Sequence, residues 1–164
     1  MLKLHRLYLF CAVTLLVTAC GFQLQTRAEL PSEMQRTKLE IQAPDSEFAR
    51  RLKIHLEQNG VQIVTTAGDA AILEVPLNRM RKEIQSIGDN ARVREYLIRH
   101  SINFRLLDNN GAELIPLQII EQSRIYEFNE QDILAAERED EFLRDDLSDS
   151  LARMVVRRLG IYGK

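Results

Sequence analysis

Two hydrophobic rhythms run along this chain, and each change of rhythm marks an element. Lys38-Leu39-Glu40-Ile41-Gln42 alternates polar and apolar, the period of a half-buried strand. Pro44-Asp45-Ser46-Glu47 then reads as a helix start, where Asp45 or Ser46 can cap and Glu47 suits the positive end of the dipole. Phe48, Leu52 and Leu56 recur every four residues as an apolar stripe, and Asn59-Gly60 ends the helix, with glycine free to turn left-handed. Val61 to Val64 reads as a short strand and Thr65 to Asp69 as a turn.

The middle of the chain returns to period two and predicts a β-meander. Ala71, Leu73, Val75 and Leu77 share one face, opposite Glu74 and Asn78, and Pro76 argues for an edge strand or a bulge. Ser86 to Ala91 is a hairpin tip. Tyr96, Ile98, His100, Ile102, Phe104 and Leu106 then face one way, while Arg99, Ser101, Asn103 and Arg105 face the other. At about 3.3 Å per residue, 93–107 spans roughly 50 Å, well beyond an ordinary strand. Asp108-Asn109-Asn110-Gly111 turns the chain into a last strand through Leu117, Ile119 and Ile125 to Phe128, with Pro116 again at an edge or bulge. Asn129 can cap a long helix, whose apolar face is Ile133, Ala136, Leu143, Leu147, Leu151, Met154 and Val155 and which Gly160 stops. Thirty residues at 1.5 Å make it about 45 Å long. Each strand and helix is apolar on one side only. Two helices packed on one face of an antiparallel or mixed sheet of about four strands bury all of it, an α+β two-layer sandwich.

The start of the chain obeys neither rhythm. Lys3, His5 and Arg6 precede an apolar run from Leu7 to Val17, then Thr18-Ala19-Cys20-Gly21. That is a secretory leader, too short to span a bilayer. With the cysteine at the cleavage point it resembles a bacterial lipoprotein lipobox, which implies residues 1–19 as signal peptide and Cys20 as the lipidated N-terminus. Each buried methylene of an acyl chain contributes about 0.8 kcal/mol, so the three chains of a bacterial lipoprotein hold it on a membrane. Gly21 rather than aspartate after the cysteine matches the pattern that sorts to the outer membrane. Residues 20–36 then read as a lipidated tether with a short strand at Phe22 and Leu24, and 37–164 as a single α+β domain.

The leader holds two of the 22 basic residues and none of the 24 acidic ones, so its removal takes the formal charge from −2 to −4. A mildly acidic domain lacks the basic face that nucleic acid needs. Cys11 lies in the leader and Cys20 would be acylated, leaving no thiol for a disulfide, a metal or redox chemistry. His55 and His100 sit on or near apolar faces and read as packed histidines, with no His/Asp/Glu spacing that suggests a metal. There is no nucleophile elbow, P-loop or dinucleotide fingerprint, and no cofactor is implied. The acidic run Glu137 to Glu141 reads as a solvated helix face with i,i+4 pairing. The remaining chemistry is basic: Arg92 and Arg94 follow the hairpin tip, with Arg79, Arg81 and Lys82 on the strand leading into it. Gathered together they would suit phosphate oxygens, which arginine matches bidentately.

In order, Cys20-Gly21-Phe22-Gln23-Leu24, Asn59-Gly60-Val61, Arg94-Glu95-Tyr96, Asp108-Asn109-Asn110-Gly111, Ile125-Tyr126-Glu127-Phe128 and an acidic-to-basic last helix resemble the LptE family of LPS-assembly lipoproteins over the whole mature chain. The resemblance implies a non-enzymatic outer-membrane lipoprotein that plugs the lumen of the β-barrel LptD. It would assist that barrel's assembly and bind lipopolysaccharide during insertion into the outer leaflet. The family's basic residues implicated in lipopolysaccharide contact lie at the hairpin tip and early in the last helix. Here those positions read Gly88-Asp89 and Glu137, so the candidate lipopolysaccharide contacts are the neighbouring Arg92, Arg94 and Arg138. Without the resemblance, the residues also fit a free periplasmic lipid-anchored scaffold or envelope-binding adaptor.

Overall fold

The computed structural model describes residues 29–66 and 68–162. The leader, Cys20 and the expected strand at Phe22 and Leu24 lie outside them. A 3₁₀ turn, Ser32–Gln35, drops Met34 into the core, and the Thr37 hydroxyl donates back to the Met34 carbonyl at 2.8 Å. There follow β1 (Arg36–Ile41), α1 (Glu47–Gln58), β2 (Gln62–Val64), β3 (Ala71–Ile87), β4 (Val93–Leu107), β5 (Glu113–Glu127) and α2 (Ile133–Tyr162). The sheet runs β2-β1-β3-β4-β5, with β1 parallel to both its neighbours and β3-β4-β5 an antiparallel meander. It is therefore mixed, and has five strands where about four were expected; the short strand expected at Val61 to Val64 is β2.

Local chemistry explains the ends of α1. Ser46 is the cap, its hydroxyl accepting from the Ala49 amide at 3.3 Å, and Gly60 closes the helix at φ +90. The ends of α2 depart from expectation. Asn129 uses its side chain in a local turn, accepting from the Gln131 amide, and Asp132 caps instead, accepting from the Ala135 amide at 3.2 Å. Gly160 does not stop the helix, which runs to Tyr162. A mid-helix glycine costs about 1 kcal/mol, and the fully buried Leu159 beside it contributes about 2 kcal/mol in the other direction.

Pro76 marks both a bulge and the point where pairing with β1 ends, at Ile41–Val75, so that beyond it β4 is the only strand neighbour of β3 among the described residues. The register slips between Glu74 and Leu77, and the slip reverses the pleat. Ala71, Leu73 and Val75 face the helices as expected, but beyond the bulge the inward residues are Asn78, Met80 and Lys82. Leu77, expected inside, lies opposite Asn103 on the outer face, and Asn78 takes the inner position opposite Ile102.

Both helices cover one face of the sheet, with the main core between. Phe48, Leu52 and Leu56 of α1 and Leu151, Val155 and Leu159 of α2 close over Leu73, Val75, Ile102, Phe104 and Leu106. A second cluster, Ile98, Tyr126, Ala136 and Leu147, lies under the first half of α2 alone.

Candidate functional site

The meander extends past α1, and at its far end only α2 covers it. There β3, β4 and β5 present Lys82, Tyr96 and Tyr126 side by side to the helix. The Lys82 ammonium lies 4.2 Å from the Tyr96 ring centroid and 5.2 Å from that of Tyr126. It also lies 2.8 Å from Asp140 Oδ1 on α2. Tyr126 donates its hydroxyl to that same oxygen at 3.0 Å, and Arg144 Nε donates to Asp140 Oδ2. Asp140 is thus the hub of a clasp joining α2 to three strands. It was expected on a solvated face with i,i+4 pairing; Arg144 supplies that pairing, and the strand register adds Lys82 and Tyr126.

The electrostatics follow. Burial alone would raise the Asp140 carboxyl, but hydrogen bonds from Arg144, Lys82 and Tyr126 outweigh it and hold the carboxyl below its ordinary value. Burial would likewise pull Lys82 down, and its bonds to Asp140 and Tyr126 turn the net shift upward. Both groups stay charged through neutral pH. Tyr96 packs edge-on to Phe128 at 5.3 Å and tilted on Tyr126 at 5.8 Å. The clasp orients the helix.

Beyond the clasp lie the arginines singled out from the sequence. Arg92 closes the β3–β4 turn, its carbonyl accepting from the Gly88 amide at 2.8 Å, and its guanidinium donates to Glu130 at 2.5 Å in the loop before α2. Arg94 sits between the Ile87–Val93 and Ser86–Glu95 pairs, where the register slips, and its carbonyl accepts from the Phe128 amide at 2.9 Å. Arg138 stands on the second turn of α2. Neither the Arg94 nor the Arg138 guanidinium has an ion pair or hydrogen bond among the described residues. Arg79, Arg81 and Lys82 do not join them. Arg79 and Arg81 pair with Ser101 and Arg99 on the outer face of the sheet, and Lys82 is spent on Asp140.

What accompanies Arg138 was not anticipated. Leu134 and Phe142, four residues to either side, are each 68% exposed, so an unpaired cation lies between two large apolar side chains on one helix face. Their spacing was legible, but the acidic run between them drew the reading toward a solvated face. Ile84 and Ile87 are also exposed at this end of β3, and Ile133, expected on the buried stripe, is exposed at the helix start.

The two histidines lie elsewhere. His100 is buried against Phe48, ring centroids 5.7 Å apart, and its Nε2–H donates to Asn78 at 2.9 Å. Burial pushes its pKa down to about 4. His55 on α1 bonds Asp149 on α2 at 2.7 Å. Burial, then the charges of Arg153 and Arg51, hold His55 below its ordinary value, and Asp149 is shared with Arg153, so the ring stays a neutral donor. Among the described residues no group of three His, Cys, Asp or Glu is gathered for a metal, and no helix is long and apolar enough to cross a membrane.

Residues 34–159 match the family model LptE, described as lipopolysaccharide-assembly. The LPS-assembly lipoprotein LptE of Yersinia pestis (strain Pestoides F) is 32% identical over 159 residues, covering 94% of this chain and 76% of its own. That of Yersinia pseudotuberculosis serotype O:1b matches to the same extent, 32% over 159 residues. Among solved structures, uncharacterized lipoprotein B from Nitrosomonas europaea superposes with a TM-score of 0.73 at 26% identity, covering 87% of this chain and 92% of its own. The rare lipoprotein B from Shewanella oneidensis shares the fold at 21% identity, with a TM-score of 0.66 over 77% of this chain and 94% of its own.

Proposed function

Because the chain belongs to the LptE lipopolysaccharide-assembly family, we propose that it is an outer-membrane lipoprotein, anchored through Cys20, that binds and plugs the LptD barrel. In that reading it assists assembly of the barrel and the insertion of lipopolysaccharide into the outer leaflet. It acts without catalysis, as a partner and a binding surface. The ligand contacts are Arg92, Arg94 and Arg138.

The observation that carries the ligand assignment is Arg138 standing unpaired between exposed Leu134 and Phe142. Lipopolysaccharide presents phosphates beside acyl chains. A guanidinium flanked by apolar side chains matches both halves of such a molecule. Arg94, also unpaired, stands in the strand beside the turn that Arg92 ties to the loop before α2.

A plug is supported by where the exposed apolar residues lie. Leu134 and Phe142 are on the outer side of the helix layer, while Ile119 and Ile125 are exposed on the open face of the sheet. Apolar surface on both sides of a two-layer domain suits a partner that surrounds it. The test is affinity purification of the lipidated protein from outer membranes in mild detergent. A large β-barrel at one-to-one stoichiometry is expected; recovery of the lipoprotein alone would overturn the reading.

A further inference from the structure

The two edges of the sheet are guarded very differently. One side is stepped: Gln62–Val64 of β2, then the end of β1, then β3 beyond Val75, whose free stretch is broken by register slips at Glu74/Leu77 and Ile84/Ser86 and carries Arg79, Arg81 and Lys82. β5 ends the other with Glu113–Glu127, and its only strand neighbour among the described residues is β4. Pro116 protects the start of β5, but Leu117–Glu127 contains neither proline nor glycine, a run of about 35 Å at strand spacing. The Pro116 and Ser123 carbonyls accept bonds from side chains of β5 itself, Gln118 and Arg124. α2 lies over the inner face of this strand, with Asp146 and Arg158 holding Arg124 and Gln118, and leaves the hydrogen-bonding edge open. On the outer face Ile119 is 66% and Ile125 52% exposed.

We propose that β5 is a strand-addition site that takes one extended segment of the partner barrel protein as a sixth strand, which rests on the plug reading for the identity of the partner. Main-chain bonds along β5 supply affinity, and alternate side chains supply the choice. Glu113 and Glu127, at the two ends of β5 and on the outer face, have no ion pair among the described residues, while Glu121 between them is held by Arg99 and Ser101. The segment that fits is therefore apolar at alternate positions, beside Ile119 and Ile125, with a basic residue toward each end. The same charges disfavour a second copy in the register centred on Ile120, where Glu113 of one chain lies opposite Glu127 of the other.

The experiment uses the full-length lipidated protein in its native membrane, with a photo-cross-linking residue placed singly at each position from Gln118 to Ile125. The proposal expects adducts to one short segment of the barrel protein, the attachment point moving one residue along the partner for each residue along β5. Of Gln122→Pro and Ser123→Pro, one removes an amide that faces β4 and the other an amide that faces the open edge. The second kind should keep the melting temperature and lose adduct yield at least tenfold. Recovery of the barrel with no β5 adducts, or adducts without register, overturns strand addition and leaves the plug standing. Adducts to this chain's own N-terminal segment or to a second copy also overturn it. Register-true adducts to a protein that is not a barrel keep strand addition and overturn the plug, and no partner at all overturns both.

Discussion

Under α1, the sheet offers Leu73, Val75, Ile102, Phe104 and Leu106 to Phe48, Leu52 and Leu56, and all of these side chains are 1% exposed or less. At the far end of the same three strands, one helix covers a four-residue cluster, and much of the contact is the Lys82–Asp140–Tyr126–Arg144 clasp. Apolar burial is insensitive to salt and tolerates little change; a half-exposed ionic clasp is weaker, directional and tunable. The first half stabilises the domain, and the second positions a helix start and a turn whose arginines and isoleucines stay exposed. In the proposed function, stability and binding are separated along the strands.

That separation can be broken from the near end first. Phe104→Ala should cost about 3–5 kcal/mol, read from chemical denaturation, since it opens a cavity in the packed core. His100 comes next, through pH. Its folded-state pKa of about 4 lies below the ordinary 6.5, so between these values the unfolded chain takes up the proton and the native one does not. Stability should therefore fall as pH drops from 6.5 toward 4 and level off below, by about 3 kcal/mol at most. A denaturation series in His100→Gln should be flatter over that window.

Asp140→Ala tests the far end. It leaves Lys82 and Arg144 without their carboxylate, and the partial exposure of all three keeps the loss to about 1–3 kcal/mol. Hydrogen exchange should rise in the first half of α2 and not in α1. Equal loosening of both helices would contradict a division between the halves. The smallest structural effect belongs to Leu134→Ser with Phe142→Ser: both side chains are exposed, so the melting temperature should move by no more than about 2 °C while lipopolysaccharide binding weakens.

The near half was almost fully legible in the sequence, because period-two and period-four stripes such as Leu73/Val75 and Phe48/Leu52/Leu56 record burial directly. Legibility failed wherever a long-range pairing overrode a local signal. The bulge at Pro76 was foreseen as one of two options, but its effect on phase was not, so Leu77 and Asn78 exchanged faces. The same slip turned Lys82 from an expected patch of cations onto Asp140. At the ends of α2, Asp132 displaced Asn129 as cap, and burial of Leu159 carried the helix through Gly160. Of the candidate contacts, the positions of Arg92, Arg94 and Arg138 at the far end of the fold were legible from the hairpin and helix boundaries. The ion pair of Arg92 with Glu130 was not, since it joins residues brought together only by the β5 return.

The claim that binding resides at the far end, apart from the stabilising core, is tested most directly by one variant, Arg92→Glu with Arg94→Glu and Arg138→Glu. Its thermal melt and its binding to purified lipopolysaccharide should be measured side by side with the wild-type chain. A melting temperature within about 2 °C of wild type, with affinity reduced at least about tenfold, is the expected result, since these are exposed charges whose loss costs little stability. Unchanged lipopolysaccharide affinity, or a variant that fails to fold, would contradict it.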